Sequence, residues 1–88
     1  MGSIGANNNV PSTMYSTAKD FKNDLSQYFT LESGPRAGEY TIIEEDTPLG
    51  VIRFSRDLGY STVRVSQGDH WTSYNNLKSV VNVLRKRR

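Results

Sequence analysis

The chain has 88 residues, of which 35% are hydrophobic and 23% charged, and a net charge of +2. That is the profile of one globular domain with a single core. The absence of cysteine excludes disulfides and thiolate metal sites, and apolar runs of at most two residues (Ile42-Ile43, Val51-Ile52, Val80-Val81) argue against a membrane-spanning helix, a membrane partner or a secretory signal.

Residues 1–15 are rich in Gly, Asn and Ser and show no period, so they are expected to form a flexible N-terminal arm. The single domain is then 16–88. A helix is predicted over 17–29, because Ala18, Phe21, Leu25, Tyr28 and Phe29 recur at spacings of three and four. Thr17 followed by Asp20 reads as its N-cap. Gly34-Pro35 ends the segment.

Three strands are predicted next: Glu39 to Glu45, Leu49 to Arg56 and Tyr60 to Ser66. Asp46-Thr47-Pro48 and Asp57-Leu58-Gly59 read as the turns between them. Gly68-Asp69 breaks the third strand. A final helix begins after an N-cap at Thr72 or Ser73, with Tyr74, Leu77, Val80, Val81 and Leu84 as its apolar stripe.

The expected fold class is therefore α+β in the order α-β-β-β-α: a three-stranded antiparallel meander with two helices packed on one face. The expected core is Phe21, Leu25, Phe29, Ile42, Ile52, Phe54, Val63, Val65, Trp71, Leu77, Val81 and Leu84. The opposite sheet face would present Val51, Arg53, Thr62 and Arg64. An exposed edge, the first or third strand, offers a route to a homodimer.

Little in the sequence suggests catalysis. His70 is the only histidine, and beside Asp69 it supplies too few ligands for a specific metal site. No spacing brings a nucleophile to it. The isolated glycines match no phosphate-binding loop. The expectation is a non-enzymatic binding module with no cofactor and no metal, placed in a reducing, cytoplasmic compartment.

Charge is the most informative feature. Arg85, Lys86, Arg87 and Arg88 end the chain, and without them seven basic residues face nine acidic ones. The positive excess is thus local. A cationic run at the end of a helix suits the helix dipole, and it also suits a phosphate backbone. Nucleic-acid binding is therefore expected, through Arg85, Lys86, Arg87, Arg88 and Lys78, with Arg53 and Arg64 of the sheet face beside the aromatic Tyr60. The alternative is a protein-interaction module, a small inhibitor or adaptor that occludes a partner protein, using Glu44, Glu45, Asp46 and Tyr60.

Two patterns resemble known families. The α-β-β-β-α order resembles double-stranded RNA-binding domains, which implies phosphate contacts at the start of the second helix. Here that start is the uncharged Thr72-Ser73-Tyr74-Asn75-Asn76. Residues 28–45, from Tyr-Phe-Thr-Leu-Glu-Ser to Gly-Glu-Tyr-Thr-Ile, resemble the phosphotyrosine-binding strand of SH2 domains. Leu31 stands where that family carries its arginine.

Overall fold

The computed structural model describes residues 10–87. Their elements run α1 (Ala18–Leu25), β1 (Thr30–Ser33), β2 (Glu39–Glu44), β3 (Thr47–Asp57), β4 (Tyr60–Gln67), β5 (His70–Tyr74) and α2 (Leu77–Arg85). The five strands form one antiparallel sheet in the order β1-β2-β3-β4-β5. The α+β class holds, but the sheet has five strands and not the expected three.

Both extra strands adjoin places where helical spacing overextended the expected helices. Thr17 caps α1 as expected, accepting a hydrogen bond from the Asp20 amide at 3.2 Å. The helix stops at Leu25, however, and does not reach Phe29. Thr30 to Ser33 then pair with Ile43 to Tyr40 as β1. Phe29 still enters the core, from the turn that follows the helix.

At the other end, Gly68-Asp69 does not break the sheet but turns it, and His70 to Tyr74 pair with Gln67 to Val63 as β5. Tyr74 is a strand residue. The N-cap of α2 is Asn76, whose side-chain oxygen accepts from the Ser79 amide at 2.9 Å, and not Thr72 or Ser73.

Register assigns the faces. Tyr40, Ile52 and Val65 lie in one cross-strand row, and Phe54, Val63 and Tyr74 in the next. This face carries the core with Phe21 and Leu25 of α1 and Leu77, Val80, Val81 and Leu84 of α2. Both helices therefore cover the same side. A bulge at Ile42/Ile43 sets Pro48, not Leu49, opposite Ile43, and Leu49 is buried with the core. Thr47 and Pro48, expected in a turn, belong to β3.

Two core expectations change. Trp71 is 38% exposed, because β5 pairing places it opposite Ser66 on the helix-free face. Phe54 lies on the core side but only half-buried, at the end of α1. Val10, Tyr15, Leu49 and Val80 complete the core.

Of the expected arm, residues 1–9 lie outside the described residues, while 10–15 are docked on the fold. Val10 and Tyr15 are buried. The Ser61 amide donates to the Tyr15 carbonyl and the Leu77 amide to the Thr13 carbonyl. This segment thus continues the β5 side of β4 and ties the start of α2 to it. The sheet edges are β1 and β5; the first and third expected strands, β2 and β4, are internal. No helix among the described residues is long and apolar enough to cross a membrane.

Candidate nucleic-acid interface

The structure separates the expected cations into two groups on opposite sides of the sheet. Arg85 and Arg87 lie on the helix-covered side. Arg85 donates to Glu44 at 3.3 Å, with both side chains only 14% exposed, and lies over the rings of Tyr28 and Phe29. Arg87 donates to the carbonyl oxygens of Leu49 at 3.2 Å and Ser66 at 2.6 Å. Both guanidinium groups thus hold α2 to the sheet. Lys86 and Lys78 are exposed, and Arg88 lies outside the described residues.

Gly50 explains how Arg87 reaches β3. A Cβ at that position would collide with the Arg87 guanidinium. The absence of a side chain there is the gap through which the arginine passes to the Leu49 carbonyl.

Arg53 and Arg64 lie on the open face, directly opposite each other on β3 and β4. Arg53 pairs with Glu39 at 3.2 Å, and its guanidinium sits 4.8 Å from the centre of the Trp71 ring. Arg64 is exposed, faces Ser73 on β5, and makes no ion pair among the described residues. The result is a platform of Arg53, Arg64 and Trp71, floored by Ser66 and Ser73. Tyr60, 47% exposed, lies toward the β3–β4 hairpin.

Trp71 is the member that sequence reasoning missed. Its apolar bulk argued for the core. The signal that places it outside is parity: in a strand paired from Gly68-Asp69, Thr72 and Tyr74 face inward and Trp71 outward.

The residues of the protein-interaction alternative do not assemble into one patch. Glu44 points to the helix side and engages Arg85. Glu45 and Asp46 form the β2–β3 turn, while Tyr60 is at the far end of the 11-residue β3. His70 and Asp69 sit at the β4–β5 turn, and no group of three metal-ligating side chains occurs among the described residues.

Leu31 is half-buried against the core on β1, opposite Ile42, so the strand expected from the SH2 resemblance exists without a cation at that position. Comparisons with protein-family models, with curated proteins and with solved structures give no match.

Proposed function

We propose that this protein is a non-catalytic module that binds single-stranded nucleic acid on its open sheet face. One observation carries the reading: Arg53 and Arg64 are direct cross-strand neighbours beside the exposed ring of Trp71. Like charges placed opposite each other repel and weaken a sheet. Glu39 already offsets part of the Arg53 charge, and a phosphate placed at Arg64 offsets the remainder. Trp71 offers a π-face on which a base stacks, and such stacking contributes about 1–3 kcal/mol per base without selecting a sequence.

Support comes from the positions that flank this platform. Val51, Ser66 and Ser73 are small or uncharged, and the acid within reach, Glu39, already pairs with Arg53. The C-terminal cations take a lesser part, because Arg85 is engaged by Glu44 and Arg87 by the carbonyls of Leu49 and Ser66. Lys86 and Lys78 remain as solvent-facing charge.

The chain contains a single tryptophan, so its fluorescence reports the platform directly. Titration with a ten-nucleotide single strand should quench Trp71, with affinity falling as salt rises in proportion to the phosphates neutralised. Arg64→Glu should weaken binding at least tenfold. Duplex DNA should bind less tightly, since its bases are already stacked. If the single strand neither quenches Trp71 nor changes in anisotropy at low salt, the reading fails.

A further inference from the structure

A second region of the molecule has features that the open face does not use. Where α1 crosses the sheet, two adjoining clefts of about 250 Å³ and about 440 Å³ share Ala18, Gly38 and Phe54. The smaller is walled by Tyr40 and Phe54 and flanked by Lys19 and Lys22. The larger runs on past Thr17 and Ser55 to Arg56.

The aromatic wall is built from ring-on-ring contacts. Tyr15, Phe21, Phe54 and Tyr40 form a continuous row, with ring centroids 4.5, 6.0 and 5.7 Å apart. The Phe21–Phe54 and Phe54–Tyr40 contacts are edge-to-face, a preferred aromatic geometry, while Tyr15 and Phe21 are tilted at 32°. The half-burial of Phe54 and Tyr40 is the open end of that row. Lys22 closes over it, with Nζ 4.7 Å from the Tyr40 ring centroid.

The charge is one-sided. Lys19, Lys22 and Arg56 line the two clefts and no acidic residue does. Lys19 and Arg56 are exposed and form no ion pair among the described residues. Lys19 and Lys22 project from one helix face, being three residues apart. Three cations around a cleft with an aromatic wall match a ligand that has a flat ring and a doubly charged group. A phosphate monoester carries about −1.5 to −2 charges near neutral pH, which suits three cations better than the single charge of a carboxylate.

We infer that this cleft is a binding site for a nucleoside monophosphate. The base enters the smaller cleft along Tyr40 and Phe54, taking the place on the Tyr40 ring that Lys22 Nζ holds in the free protein. The sugar lies toward Gly38, where the missing side chain leaves the mouth open. The phosphate reaches Lys19 and Arg56. The site is separate from the open face: Phe54 and Tyr40 point to the helix side of the sheet, Arg53 and Arg64 to the other.

Titration of the full chain with adenosine monophosphate, followed by amide NMR shifts, tests this. Shifts should cluster at Lys19, Lys22, Gly38, Tyr40 and Phe54. Adenosine alone and inorganic phosphate alone should each bind at least tenfold more weakly. The double variant Lys19→Glu, Arg56→Glu changes two exposed side chains, so its folded spectrum should persist while affinity falls at least tenfold. Trp71→Ala should leave nucleotide affinity unchanged even though it removes the stacking platform for a strand. Equal binding of inorganic phosphate, shifts centred on Trp71 and Arg64, or no binding at millimolar nucleotide would each overturn the inference.

Discussion

Tyr15 shows how one side chain can join three parts of the fold. Its hydroxyl donates to Asp24 Oδ2 of α1 at 2.6 Å, its ring packs on Phe21, and its carbonyl accepts from Ser61 of β4. Burial, reinforced by the hydrogen bond to the Asp24 carboxylate, pushes the phenol well above the usual tyrosine range. An unfolded tyrosine ionises near about pH 10, whereas Tyr15 stays protonated in the fold. Above that pH the native state holds a proton that the unfolded state has lost, so stability falls as pH rises. Urea midpoints between pH 8 and pH 11.5 should therefore drop more steeply for the wild type than for Tyr15→Phe. Identical slopes would contradict this role. In the sequence, Tyr15 sits in a stretch without period, and nothing local marks it as a core residue. Phe21 and Leu25, by contrast, were legible from helical spacing alone. Trp71 was misread because bulk and apolarity do not encode which side of a strand a residue faces.

Elements were most legible where period and punctuation agree. The three expected strands correspond to β2, β3 and β4 within a few residues, and the α2 stripe of Leu77, Val80, Val81 and Leu84 is buried as expected. The hairpin turns were harder to read. In the β3–β4 turn both central residues, Leu58 (φ 52°) and Gly59 (φ 85°), are left-handed, the pattern of a two-residue hairpin loop that favours Asn-Gly. Leu58 adopts this conformation at a cost and is 91% exposed. Leu58→Asn should stabilise the domain by about 0.5–1 kcal/mol, since Asn tolerates the left-handed region. Thermal unfolding checks this, and a lower melting temperature would count against the turn geometry. The short strands β1 and β5 escaped the sequence reading for a different reason. Each has one weakly apolar face, and edge strands bury too little to impose a clear alternation.

For the whole molecule, the decisive feature is the way its last helix closes onto the sheet. Arg85 meets Glu44 across 41 residues, and Arg87 reaches Leu49 and Ser66 across 38 and 21. Arg87→Ala removes two charge-assisted hydrogen bonds to carbonyls and should cost about 1–3 kcal/mol. In a domain of this size each kcal/mol lowers the melting temperature by roughly 4–8 °C. Strand affinity measured well below that transition should be unchanged, because the guanidinium faces the protein. An unchanged melting temperature with weakened strand binding would reverse the assignment and return Arg87 to the interface.

The sequence by itself determined the class, the helix-covered face and most of the core, because these follow from period, and period is local. It also showed that the positive excess is confined to the C-terminal end. Only the tertiary structure decided what those charges do. Whether Arg85 meets a phosphate or Glu44 depends on a contact across 41 residues, and whether Trp71 is core or surface depends on its register opposite Ser66 in the β4–β5 hairpin. Register is a property of pairs of strands. The two surfaces that now stand out, the Arg53–Arg64–Trp71 platform and the Tyr40–Phe54 cleft, are both products of that pairing.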